Sequence, residues 1–238
     1  MSGMELKATA RRIIAENAPK IFLVSIIYLI VTTLMSELQY RLPGTASALD
    51  EYLDSIAAGS IPSISLLYTK FRPSGVALAV VLQLMLPVIH AGYMGYCLKL
   101  HRGQSGEYKD LLNAFLFFGK VLLLSIVTAV FVLLWSALLI IPGLVAHYRY
   151  RQAYFILIDD PDKSVLQCIR ESKKLMHGKK LDLFLVDLSF IGWVIISTLV
   201  VLLLPLPFSL PVVSIWLSPY QWLTRAAFYD RLIGEIAL

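Results

Sequence analysis

Six apolar stretches, at residues 21–38, 76–98, 121–141, 144–158, 183–204 and 212–233, dominate this chain of 238 residues, and its cations gather at one set of their ends. A hydrocarbon core of about 30 Å takes about 20 apolar residues per helix, so each stretch reads as a membrane span. With 58% hydrophobic residues and a mean hydropathy of +0.74, the composition excludes an ordinary soluble domain. On a six-span layout every Lys and Arg shares one side except Arg41, Lys70 and Arg72. The positive-inside tendency makes that side the cytoplasm and places both termini there. The stretch 144–158 is the ambiguous one, because it carries His147, Arg149, Arg151 and Gln152. If it did not cross, the cations from Arg149 to Lys180 would lie with the outer loop 39–74, against that tendency.

Between the spans lie three amphipathic segments. In residues 4–18, Leu6, Ala10, Ile13 and Ile14 recur at helical spacing opposite Arg11, Arg12 and Glu16. Residues 108–118 form a second such segment, and in 160–180 the residues Val165, Cys168, Ile169, Ser172, Leu175 and Met176 share one face. The expected architecture is therefore an all-α polytopic membrane protein: one membrane domain over residues 1–238, six transmembrane helices and three cytoplasmic interfacial helices. The outer loop 39–74 is broken by Pro43, Gly44, Gly59, Pro62 and Pro73, with one short helix expected over 48–57. An Ala46-Ser47-Ala48 triplet follows the first span too distantly to serve as a signal-peptide site, so an uncleaved span is expected.

A weak repeat runs through this layout. Three times a helix-breaking residue and a lysine lead from an amphipathic segment into a span: Ala18-Pro19-Lys20, Phe118-Gly119-Lys120 and His177-Gly178-Lys179-Lys180. Two readings stand: three units of interfacial helix plus transmembrane hairpin, or lysines acting as generic anchors at cytoplasmic helix ends. The net charge of +5 sits at helix ends, which points to anionic lipid headgroups as partner and away from nucleic acid. Cys97 and Cys168 both fall near cytoplasmic ends, where thiols stay reduced, and no disulfide is expected.

Catalytic spacings are missing: no HExxH, no GxSxG, no phosphate-binding glycine loop and no cysteine pair at zinc spacing. The expectation is a protein that is not an enzyme and needs no cofactor or metal. Ionisable groups at membrane depth remain as the chemical clue, since an unpaired charge there costs at least about 2.5 kcal/mol. At about 1.5 Å per residue, Arg151 and Asp187 each lie about 10 Å from the inner ends of their spans, Ile158 and Lys180. His147 shares a helix face with Arg151. The candidate site is thus a polar cluster of His147, Arg149, Arg151 and Asp187 lining a cavity open to the cytoplasm; a purely structural ion pair is the competing reading. His90, near Pro87 and Gly92, is a weaker candidate beside the simpler role of a hydrogen-bonded histidine. Asp159, Asp160 and Asp162 fit helix-dipole complementarity at the start of the third amphipathic helix better than a metal cluster. Tyr148, Tyr150, Tyr154 and Phe155 read as packing, and Trp216 and Trp222 as interface anchors or core.

The run Pro87-Val88-Ile89-His90-Ala91-Gly92-Tyr93, then Arg102-Gly103, Tyr108-Lys109-Asp110-Leu111-Leu112 and Ile140-Ile141-Pro142-Gly143, resembles an uncharacterised bacterial integral-membrane family, domain of unknown function 975. Ser172-Lys173-Lys174-Leu175-Met176 with Gly178, Leu188-Ser189-Phe190-Ile191-Gly192-Trp193, Ser218-Pro219-Tyr220 and Ala227-Phe228-Tyr229 add to the likeness, which covers about residues 86–232. The resemblance implies a multi-pass protein of the cell membrane, common in Gram-positive bacteria, and brings no catalytic residues with it. The chain departs from the pattern at Arg149 and Arg151, which are more charged than expected, and at the proline-rich turn 204–211. The functional expectation is an accessory, assembly or resistance factor that binds a membrane partner or amphiphile. The alternative is a small transporter or lipid-handling protein using the Arg/Asp/His cluster.

Overall fold

The computed structural model describes residues 3–60, 72–203 and 212–236, and every regular element among them is helical. In chain order these are α1 (Gly3–Asn17), α2 (Lys20–Arg41), α3 (Thr45–Ala57), α4 (Pro73–His101), a 3-10 segment (Tyr108–Phe117), α5 (Phe118–Leu138) and α6 (Ile140–Tyr150). There follow α7 (Ala153–Asp159), α8 (Val165–Leu175), α9 (Lys180–Leu188), α10 (Ile191–Leu203) and α11 (Val212–Ile236). Four helical stretches among the described residues are long and apolar enough to cross a membrane: Lys20–Arg41, Pro73–His101, Tyr108–Leu138 and Lys180–Val200. Their surfaces carry side chains that water would not tolerate in such density, such as Leu123, Leu133, Leu138 and Ile195. Residues 144–158 fall instead in two shorter helices, α6 and α7, with a break at Arg151 and Gln152. The last stretch is long enough in α11, but Arg225, Asp230, Arg231 and Glu235 interrupt its apolar sequence.

Two compact units divide the chain, one comprising residues 3–29 and 87–236, the other Ile30–Leu86. In the larger unit the inner part of α4 is buried on two sides. Tyr93, Tyr96, Cys97 and Leu100 join a core with α1, the start of α2, α9 and α11. Val88, Ala91, Met94 and Leu98 join a second core with α5, α6, α7 and α8. This is why α4 shows no helical period from Val88 to Leu100: both of its faces are buried there. Within the first core Ser25 and Tyr93 share a hydrogen bond of 2.6 Å, and Tyr28 stacks on Tyr93 at 4.1 Å. At Gly92 the 3-10 segment passes so closely that a Cβ would lie 2.0 Å from the Leu111 carbonyl oxygen. Only a residue without a side chain fits that crossing.

Helix α1 buries Leu6, Ala10, Ile13 and Ile14 and packs along α11. Helix α8 begins at a reciprocal cap, in which the Gln167 N–H donates to Ser164 Oγ and the Ser164 N–H donates to Gln167 Oε1. Its buried face holds Val165, Cys168, Ile169 and Ser172, with Met176 just beyond its end. Gly178, at φ 73°, adopts the left-handed conformation that lets the chain turn from there toward α9.

The turn between α5 and α6 differs from the sequence expectation. The span expected to run to residue 141 and turn at Pro142-Gly143 ends at Leu138, and the extended residue Leu139 makes the break. Pro142 then sits in the first turn of α6, where a helix has no use for its missing N–H. Gly143 is required because α5 lies against it: a Cβ there would fall 2.0 Å from Ser136 Oγ.

In the smaller unit the Arg72 N–H donates to the Pro43 carbonyl at 2.9 Å, and a Cβ on Gly75 would lie 1.9 Å from the Leu42 carbonyl oxygen. These contacts pin together the two ends of the segment between α2 and α4. Between them α3 starts after Gly44, at φ 79°, and leaves Leu49, Leu53 and Ile56 exposed along one stripe. Pro62 and Lys70 of the outer loop, and the proline-rich turn 204–211, lie outside the described residues.

Candidate functional site

Asp187, in the last turn of α9, is the hub of a polar cluster inside the larger unit. Arg151, at the end of α6, donates through Nη1 to its Oδ2 at 2.5 Å. Arg225, from the middle of α11, donates through Nε and Nη2 to Oδ1 at 3.2 and 3.1 Å. The Tyr148 hydroxyl donates to Oδ2 at 3.2 Å. Each charged side chain is largely buried, with 21% of Arg151, 17% of Arg225 and 15% of Asp187 exposed, so each depends on its partners and not on water. The Arg225 guanidinium also lies 4.9 Å from the Trp222 ring centre and Arg151 lies 5.6 Å from that of Tyr148.

Of the residues singled out from sequence, Arg151 and Asp187 meet directly. His147 stands beside them without joining the ion pair: its ring meets Tyr148 edge-on at 5.5 Å and lines a cavity of about 420 Å³ with Arg151. Arg149 is not brought into the cluster; its backbone carbonyl accepts a hydrogen bond from the buried Ser172 hydroxyl at 2.8 Å, which ties α6 to α8. Two residues in a helix facing one way are three or four positions apart, so Arg149 and Arg151 point apart. His90 is partly buried beside the first core, its ring edge-on to Tyr28 at 5.8 Å.

Arg225 and Tyr148 were missed by sequence reasoning. The positive-inside pattern places Arg225 with the cations of one side, yet at about 1.5 Å per residue it lies about 12 Å before Ile233, a depth like that of Arg151. Tyr148 offered no signal, because the packing role of its ring and the donor role of its hydroxyl leave the same sequence trace.

A second cluster closes the end of α4. Arg102 donates as a fork to both carboxylate oxygens of Asp159, at 2.6 and 2.8 Å, and through Nε and Nη2 to Asp230. Tyr229 donates to Asp159 Oδ2 at 2.9 Å. The hydrogen bonds to Asp159 and Asp230 raise the Arg102 pKa further above its ordinary value, so the guanidinium is permanently charged. Asp159 therefore holds α4, α7 and α11 together, where the sequence pointed to a dipole partner for α8. Ser164 takes the capping role at that helix. Among the described residues no group of His, Cys, Asp and Glu is placed to hold a metal ion. Cys168 is buried, and that burial pushes its thiol pKa up, away from the thiolate that nucleophilic chemistry requires.

The groups around Asp187 can therefore fix helices to one another and present the edge of a guanidinium to a cavity. No curated protein and no solved structure matches the chain. The family likeness holds for its C-terminal part: residues 137–235, which carry Arg151, Asp187 and Arg225, match the model of the family described as "Protein of unknown function (DUF975)".

Proposed function

We propose that this chain is a multi-pass protein of the bacterial cytoplasmic membrane, not an enzyme, that binds a membrane partner or amphiphile as an accessory, assembly or resistance factor. In this reading the chain crosses six times, with residues 144–158 and 212–233 as the two crossings beyond the four most apolar stretches. Both termini lie in the cytoplasm, and α1, the 3-10 segment and α8 lie at the inner surface. The observation that carries the reading is the cavity of about 420 Å³ beside Arg151, with His147 on the same wall and the Asp187 ion cluster behind it. A charge is retained in a membrane helix where partners or a ligand repay its desolvation, and this one borders an open space. Purification in native lipid discs followed by mass spectrometry tests the proposal. One lipid class or one protein should accompany the chain in excess over bulk membrane; finding neither would sink it.

The same observation favours a second reading, a small transporter or lipid-handling protein. Reconstituted transport that is unchanged by substitution of Arg151 and Asp187 would remove its support.

A further inference from the structure

The cavity beside Arg151 is lined from α5 by Ser125, Thr128, Ala129, Val132, Leu133 and Ser136, and from α6 onward by His147, Tyr150, Arg151 and Tyr154. Among the described residues no carboxylate lines it. Asp187 is engaged from behind by Arg151, Arg225 and Tyr148, so two guanidiniums face one carboxylate and a positive charge is left over. Arg151 uses only Nη1 on Asp187, and its other N–H groups have no acceptor among the described residues. The His147 ring and the Ser136 hydroxyl likewise make no hydrogen bond with any described residue. The Ser125 and Thr128 hydroxyls spend their protons on α5 carbonyls, so the character of the site is set by the surplus positive charge and the free guanidinium N–H groups of Arg151, which is the chemistry of an anion site. Its other wall is apolar, through Ala129, Val132 and Leu133, and Ser125 to Ser136 covers about 16 Å along α5 at about 1.5 Å per residue. A bare anion would gain nothing from that wall, whereas an alkyl chain would.

We infer that this cavity receives the anionic headgroup of a membrane amphiphile, a phosphate or carboxylate on an alkyl chain. Arg151 is its charge partner, His147 is a further donor, and the chain lies along Ala129, Val132 and Leu133 toward Ser136. This rests on the proposed amphiphile-binding role and specifies its chemistry.

The test uses the full chain in phosphatidylcholine discs containing a minor fraction of phosphatidylglycerol with a photoreactive diazirine at the start of one acyl chain. After illumination, label is expected on peptides covering residues 125–136 and 147–154. Unlabelled phosphatidylglycerol should compete, and phosphatidylcholine and inorganic phosphate should not. Ala129→Phe fills the cavity without touching the ion cluster and should reduce labelling about tenfold. Arg151→Gln should reduce it as well, with folding followed by thermal melting; if that variant does not fold, Ala129→Phe decides. Label confined to other helices, equal competition by phosphatidylcholine, competition by inorganic phosphate, or undiminished labelling of Ala129→Phe would each overturn the inference. The wider proposal fails separately, since a protein enriched in native discs would uphold it even with this cavity empty of anionic lipid.

Discussion

The two arginine–aspartate clusters are built from the same groups in opposite proportion. Around Asp187 one carboxylate serves two guanidiniums, while around Arg102 one guanidinium serves two carboxylates. Each is completed by a tyrosine hydroxyl, Tyr148 in the first and Tyr229 in the second. They differ in their access to water. Arg102 is 36% exposed and its two carboxylates 23% each, so solvent and salt reach their surplus negative charge, whereas Arg151, Arg225 and Asp187 are only 21%, 17% and 15% exposed. The comparison teaches that an uneven count of charges is cheap at a helix end and costly in the interior. The proposed anion site rests on the more buried imbalance, not on the more exposed one.

The largest effect should come from Asp187→Asn, which leaves Arg151 and Arg225 side by side without a counter-charge. Breaking a buried pair typically costs about 3–5 kcal/mol, and we expect a loss of that order in thermal or denaturant melts of the purified protein. A variant that melts like the wild type would remove the distinction between the clusters. Arg102→Gln should cost less, about 1.5–3 kcal/mol from the loss of charged hydrogen bonds. Its effect should shrink in high salt, whereas that of Asp187→Asn should not; equal salt sensitivity of the two melts would place both clusters in the same environment.

Ser172→Ala supplies a neutral reference, since it removes one hydrogen bond to the Arg149 carbonyl and no charge. About 1 kcal/mol is expected. The smallest effect should be that of Glu235→Gln. The hydrogen bond from Lys179 holds the Glu235 carboxyl below its ordinary range despite the opposing effect of burial. A depressed carboxylate pKa stabilises the fold above the unfolded value and loses that contribution as pH falls through the folded one. Wild type and variant should thus differ slightly at neutral pH and converge in acid. A gap that widens in acid would reverse the assigned sign.

Much of the helical pattern was legible because burial and sequence period coincide. Leu6, Ala10, Ile13 and Ile14 fall every three or four residues, and these are the residues α1 buries. The short helix expected over 48–57 is present as α3, though it starts at Thr45. The α5–α6 turn was misplaced by the usual meaning of Pro-Gly, which marks a turn unless the proline falls in a first helical turn and the glycine answers a close approach from outside. Of the candidate site, Arg151 and Asp187 were found by depth alone. Depth carries no information about direction around a helix, so it does not separate Arg149 from Arg151, and the apolar length of 212–233 says nothing about which helices the Arg225 side chain meets.

By itself the sequence determined that this chain is helical, apolar and asymmetrically charged, because those properties are sums over residues and periods of three to four along one helix. Which charges meet, and in what proportion, was decided only by the tertiary structure. Arg151, Asp187 and Arg225 lie on three helices far apart in the chain, and the balance of their charges exists only once packing has brought them to one place.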